Sequence, residues 1–194
     1  MEVNYKFKTK PYEHQREAMH RSIPMNAYGF FMEMGTGKSK VLIDSIACLS
    51  NLHQIDFALI IAPKGVYRNW INKEMNVESF SSAKGKTAGE WMAEKFGRHG
   101  LIAIDESTTI KNHKAKRTKS LLKIASKFKY KRLLTGSPVT KSPMDLFAQF
   151  QFLDPTILGY DSFYAYQGRY AVLQKRSMGA HSFQEIVGFR HLEE

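Results

Sequence analysis

Only one cysteine, Cys48, occurs among the 194 residues. No intrachain disulfide can form, and a reducing compartment is expected. The seven histidines have no cysteine or acidic partners at metal-ligand spacing, which argues against zinc. Long apolar runs are also missing. None is long enough to cross a bilayer as a helix. Met1 to Lys10 is polar and basic, without the apolar stretch of a secretory signal. A soluble, intracellular protein with no membrane partner is expected. Internal repeats and low-complexity segments are absent, and 43% apolar residues suit an ordinary globular core.

Acidic residues are scarce: 18 against 29 Lys and Arg, for a net charge of +11. Such an excess fits either a polyanionic partner or a solvated basic surface. Its distribution is uneven. Ser107 to Met144 contains no acid but holds Lys111, Lys114, Lys116, Arg117, Lys119, Lys123, Lys127, Lys129, Lys131, Arg132 and Lys141. Lys116, Lys119, Lys123 and Lys127 share one helical face. That face reads as a phosphate-backbone patch or, equally, as a solvated helix surface.

Four short apolar runs, 28–32, 57–61, 101–104 and 131–134, read as strands buried on both faces. Helical patterns fall between them at 37–52, 66–75, 87–96 and 114–128. Strand and helix alternating with short links predict a doubly wound, mainly parallel α/β sheet, whose ligands sit at the carboxyl ends of the strands. Beyond Pro143 helices are expected at 144–153 and 161–173, with a possible strand at 185–187. The reading divides the chain into a core, 1–155, and a helical C-terminal extension, 156–194.

The sharpest motif is Met32-Glu33-Met34-Gly35-Thr36-Gly37-Lys38-Ser39, which follows a predicted strand and opens a predicted helix. Glycines let successive N–H groups curl toward phosphate oxygens, and the helix N-terminus adds positive partial charge. Lys38 would reach the β- and γ-phosphates, and Ser39 would ligate Mg2+. The general pattern has glycine where this chain has Met32. The alternative is a glycine-rich turn with a chance lysine. Further along, the strand at 101–104 runs into Asp105-Glu106. One carboxylate could hold Mg2+ and the other deprotonate an attacking water. The alternative there is an aspartate capping a turn.

The order of these segments resembles the first RecA-like lobe of superfamily 2 helicases, closest to the Swi/Snf-type branch and to helicase-like proteins of bacteriophages. The resemblance covers nearly the whole chain. Pro11-Tyr12-Glu13-His14-Gln15 is similar to the family's adenine-reading segment, which implies that Gln15 binds the base; on its own the segment could be a plain helix start. Gly35, Thr36, Gly37, Lys38 and Ser39 match motif I. Ile61-Ala62-Pro63-Lys64 resembles motif Ia, which implies nucleic-acid contacts for Pro63 and Lys64. Trp70, a few residues on, suits a core aromatic better than a base-stacking one. Met75 to Phe80 resembles motif Ib and implies a contact for Asn76. Asp105-Glu106-Ser107-Thr108 resembles motif II, with Ser-Thr where Ala-His is usual, and Ile110-Lys111-Asn112 resembles the tail typical of the Swi/Snf branch. Leu133-Leu134-Thr135-Gly136-Ser137-Pro138 resembles motif III, which implies a coupling role for Thr135 and Ser137. Phe152 to Pro155 and Gly188 to Arg190 look like later landmarks of the branch.

The resemblance implies ATP and Mg2+ as cofactors, with Lys38, Asp105 and Glu106 catalytic and Ser39 and Asp105 on the metal. It implies nucleic acid, double-stranded DNA, as partner, and a second RecA-like lobe in cis or trans, of which no motif occurs before Glu194. The implied location is the cytoplasm of a bacterial cell, or of a host cell if the chain is phage-encoded. Only 34 residues, 71–104, separate Trp70 from Asp105, where the family fits a further strand and helix, so the sheet is expected to be one strand short. The function expected is the ATP-binding lobe of a DNA-dependent ATPase, helicase or translocase. The alternative is a non-catalytic module that binds nucleic acid or a partner and retains nucleotide binding only.

Overall fold

The computed structural model describes residues 5–63, 65, 70, 88–178 and 181–193. Among them, four apolar runs form strands: β1 (Ala27–Phe31), β2 (Phe57–Ile61), β3 (Gly100–Asp105) and β4 (Tyr130–Thr135). They make one all-parallel sheet in the order β1-β4-β3-β2. β3 is buried along its whole length, as its unbroken apolar character requires. Whether the sheet is one strand short turns on the segment between Trp70 and Ala88, which lies outside the described residues, as do the motif Ib segment with Asn76, and Lys64.

The period of two along β3 sorts the core into two layers. Leu101 and Ala103 face Met19, Val41, Leu42, Cys48 and Leu49, which come from α1 (Glu13–Ser22) and α2 (Lys38–Asn51). Ile102 and Ile104 face Met92, Ala93, Leu121, Ile124, Ala125, Phe152 and Leu153. Those residues belong to α3 (Ala88–Phe96), α4 (Lys116–Ala125) and α5 (Leu146–Leu153). Helices on both faces of a parallel sheet make the doubly wound RecA-like fold expected from the sequence. Each fully buried Leu or Ile contributes roughly 1.5–3 kcal/mol, so these two layers hold the strand ends in place.

The extension differs from the helix expected over 161–173. A helix, α6 (Phe163–Tyr170), is present, but it stops at Tyr170. Leu173 lies in β5 (Ala171–Met178), which pairs antiparallel with β6 (His181–Phe189). The cause is non-local. The chain returning along β6 delivers Arg190, whose backbone N–H donates to Tyr170 O. Its guanidinium donates to Arg169 O and Gly168 O, satisfying the last carbonyls of α6. The extension is anchored by a third apolar cluster of Met144, Phe147, Tyr166 and Ala171. His113 stacks on Phe163 at 3.6 Å between ring centroids.

Candidate nucleotide site

The carboxyl ends of the four parallel strands lie along one edge of the sheet, where β1 ends in the glycine-rich turn, β2 in Ala62-Pro63, β3 in Asp105-Glu106 and β4 in Thr135-Gly136-Ser137. Strands 4.7–4.9 Å apart separate the turn and the acidic pair by about 10 Å, with β4 between them. Phe31 of β1 pairs with Thr135, and Asp105 of β3 with Leu134. That gap suits a phosphate chain bridged by a cation. Among the described residues, Asn76 and Lys64 are not represented; Pro63 is half-buried at its strand end.

The turn takes its shape from two left-handed glycines, Gly35 (φ 80°) and Gly37 (φ 84°). A side chain in that region costs roughly 1–2 kcal/mol. At Gly37 a Cβ would also lie 2.4 Å from Gln15 Nε2, so a side chain there would have to displace that amide from the turn. Gly37 caps α2, and Lys38 and Ser39 form its first turn, both half-buried. The Lys38 ammonium donates to Met32 O and Glu33 O, each at 3.0 Å. Both acceptors are neutral carbonyls of the turn itself. Among the described residues the cation is therefore held at the turn without a neutralising carboxylate, as an anion site requires.

Gln15 spends its amide on its own chain. Its Oε1 accepts from Tyr12 N (3.0 Å), and its Nε2 donates to Thr36 O (2.8 Å). The neighbouring His14 ring also contacts Thr36 O, at 3.1 Å. Tyr12 to Gln15 thus form the capped start of α1, and the same residues brace the glycine-rich turn. The helix-start reading of the segment is thus seen, and it sets Gln15 against the glycine-rich turn.

Asp105 is buried, and both carboxylate oxygens have a donor. Glu106 N donates to Oδ1 at 3.1 Å, and the Trp70 indole Nε1–H donates to Oδ2 at 2.9 Å. Trp70 is only 1% exposed, a core aromatic rather than an exposed stacking platform. Its link to Asp105 was missed because 34 residues lie between them and no local pattern joins them. Glu106 has φ 55°, a conformation uncommon outside glycine and one that clusters at functional sites.

A second link was also missed. Ser107 Oγ donates to Gln149 Oε1 at 2.5 Å, while Gln149 Nε2 donates to Pro138 O at 2.6 Å and Asp145 O at 2.9 Å. One side chain from α5 therefore ties the segment after Asp105-Glu106 to the segment after β4. A signal was present: a glutamine in the apolar run Leu146–Leu153, three residues before Phe152 and on the same face. Asp145 reinforces the tie by accepting from Thr140 N, Thr140 Oγ1 and Lys141 N, with Lys111 Nζ 3.9 Å away. These donors outweigh burial and hold its carboxyl below the usual range. Thr135 is buried and its Oγ1 accepts from Ser137 N; Ser137 itself is exposed.

The basic window is less uniform than its sequence. Lys123 pairs with Glu90 (3.3 Å) and Lys127 with Glu94 (3.1 Å), both acids being on α3. Half of the lysine face read as a backbone patch thus faces carboxylates. Lys116 and Lys119 remain exposed on α4. Arg132 is fully buried within β4 and donates to Ser22 O, Met25 O, Asn26 O and Lys131 O. Burial pulls its guanidinium down to about 10, which leaves it charged at neutral pH.

Comparison with known proteins agrees with this arrangement. The SNF2-related domain family matches residues 89–187. A SWI/SNF-related matrix-associated actin-dependent regulator of chromatin subfamily A-like protein 1 from Drosophila melanogaster is 31% identical over 53% of this chain and 13% of its own length. A SNF2 domain-containing protein, ENL1, from Oryza sativa subsp. japonica is 22% identical over 91% of this chain and 22% of its own. The chain thus spans under a quarter of either relative. The Sulfolobus solfataricus SWI2/SNF2 ATPase core in complex with dsDNA superposes with a TM-score of 0.68 at 22% identity, covering 88% of this chain and 40% of that one. The Sulfolobus solfataricus SWI2/SNF2 ATPase core domain gives 0.69 at 23% identity, covering 88% of this chain and 39% of that one. Those two likenesses concern the fold. With the family matched across half of its residues, this chain belongs to the SNF2-related domain family.

Proposed function

We propose that this chain is the ATP- and Mg2+-binding lobe of a DNA-dependent ATPase that moves on or remodels double-stranded DNA. The observation that carries the reading is the Lys38 ammonium, held at a strand-to-helix turn by two neutral carbonyls, two strands from a buried Asp105 and a left-handed Glu106. The amides of Gly35 to Ser39 cradle the β- and γ-phosphates, and Lys38 exchanges its carbonyls for phosphate oxygens. Ser39 and Asp105 hold Mg2+, which when bound would neutralise charge on the phosphates. Glu106 orients and deprotonates the attacking water. Gln15 reaches the adenine by giving up one of its backbone partners.

Pro63, Lys64 and Asn76 contact the nucleic-acid backbone, and Thr135 and Ser137 couple nucleotide state to that grip. Residues 1–155 form the lobe, and 156–194 lead toward a second RecA-like lobe, in cis or trans, that supplies an arginine to stabilise charge on the transferring phosphoryl group. The 40% share of the archaeal ATPase core that this chain covers suits one lobe of two. In related phosphate-loop enzymes such an arginine contributes roughly a thousandfold or more to turnover.

A fluorescent ATP analogue titrated against the chain and against Lys38→Ala tests the binding step. The expected result is roughly a hundredfold loss in the variant with unchanged circular dichroism, and equal affinities would refute the site. Phosphate release by the chain alone should be slow and barely stimulated by duplex DNA. Adding a second-lobe fragment should accelerate it. Failure to accelerate, with binding intact, favours the non-catalytic alternative.

A further inference from the structure

Trp70 is sealed in the core, yet its one polar atom spends its hydrogen bond on Asp105 Oδ2 rather than on a backbone carbonyl. A buried indole N–H needs an acceptor, and neutral carbonyls are the common ones. Choosing a carboxylate has a chemical consequence. An indole donates and stays neutral. It can fix the direction of the Asp105 carboxylate without cancelling its charge, as a lysine or arginine in that place would. Glu106 N fixes the other oxygen. Each carboxylate oxygen has a second lone pair, so both remain able to face a cation or its bound water.

We propose that Trp70 is a positioning residue that pre-sets Asp105 for Mg2+, and that its indole reports optically on the occupancy of that carboxylate. The inference rests on the reading of Asp105 as a Mg2+ ligand. Partners one step removed from a metal typically alter its affinity tenfold to a hundredfold. A tryptophan that merely fills the core would instead affect stability, and nucleotide affinity with and without metal to the same degree.

The chain has two tryptophans, Trp70 and Trp91. In Trp91→Phe, the sole indole is Trp70. Its emission should shift as Mg2+ is titrated in saturating ATP, with the same midpoint as the Mg2+ dependence of binding of a fluorescent ATP analogue. The shift should vanish in Trp91→Phe carrying Asp105→Asn. Trp70→Phe in the full chain should raise the Mg2+ midpoint about tenfold or more, while ATP affinity in EDTA changes less than about twofold. Trp70→His, which keeps a ring donor, should recover part of the loss. An unchanged Mg2+ midpoint in Trp70→Phe, or an equal loss with and without metal, overturns the proposal. If Trp70→Phe does not fold, the Trp91→Phe titration decides, and emission blind to Mg2+ overturns it too. Should the wild-type chain bind no nucleotide under any condition, the ATP-site reading falls and this inference with it; ATP binding with an indifferent Trp70 removes this inference alone.

Discussion

Two cations sit at opposite ends of the same parallel sheet, and among the described residues both direct their hydrogen bonds to backbone carbonyls. Arg132 lies toward the amino end, fully buried against carbonyls at the end of α1 and just after it. Lys38 lies at the carboxyl end, half-buried over the carbonyls of a glycine-rich turn. Local chemistry is nearly the same, and access differs. A sealed cation can only be a strut, because nothing can replace its acceptors. A cation open to solvent can trade two weak neutral acceptors for a phosphate. The paired lysines of α4 and the turn after it complete the contrast: Lys123 and Lys127 already have carboxylates.

The largest expected effect isolates the carboxyl end. Glu106→Gln should lower turnover by roughly 100- to 10,000-fold in whichever assembly hydrolyses ATP, while nucleotide affinity and thermal midpoint stay near wild type. Wild-type turnover in the variant would remove Glu106 from the chemistry.

The opposite end should behave in reverse. Arg132→Met leaves several carbonyls without their donor, a loss of about 2–4 kcal/mol. For a chain of this size that is a drop of roughly 5–15 °C in thermal midpoint. Affinity for an ATP analogue below that midpoint should change little. If calorimetry shows no loss of stability, or binding collapses while stability holds, the division into strut and site is wrong.

A subtler contrast concerns the basic helix. Replacing Lys116 and Lys119 together by alanine should weaken duplex DNA binding and reduce the log–log salt slope by about one unit per lost phosphate contact. Replacing Lys123 and Lys127 should leave the slope nearly unchanged, because their charge is already answered by Glu90 and Glu94. Equal slopes for the two double variants would show that ion pairing across α3 and α4 does not decide which lysines meet DNA.

The smallest effect is a pH dependence in the extension. Burial, with Lys114 and Lys119 nearby, lowers the His113 pKa below 6.5. A base depressed on folding binds more protons when unfolded, so its contribution to stability is intact above about pH 6.5 and erodes as pH falls through the folded value. Proteolysis between α5 and β6 should therefore quicken below pH 6.5, and His113→Phe should flatten that response. An identical pH profile in the variant would detach the extension's anchorage from His113.

Much of this was legible in the sequence where residues acting together are close along the chain. The four strands emerged within a residue or two because unbroken apolar runs such as Leu101–Ile104 have no other home than a sheet buried on both faces. The glycine-rich turn and Asp105-Glu106 declared themselves through strand context. What escaped depends on partners far apart. Arg132 was counted as surface charge, although its acceptors come from residues 22–26. Lys123 and Lys127 read as free cations because their acids lie on another helix. The β5–β6 hairpin was partly read as helix, since the aromatic spacing of Phe163 to Tyr170 says nothing of where pairing with 181–189 begins.

Gln149 limits how this molecule can be recombined. Its amide is fully committed, accepting from Ser107 and donating to Pro138 O and Asp145 O. A chimera that imports the usual alanine at position 107 without changing α5 strands a buried amide oxygen, at a cost of about 1–3 kcal/mol. One that imports an apolar residue at 149 while keeping Ser107 strands a hydroxyl instead. Segments 105–110, 135–140 and 145–149 must therefore be exchanged as a single cassette, even though 34 residues of sequence separate the first from the last.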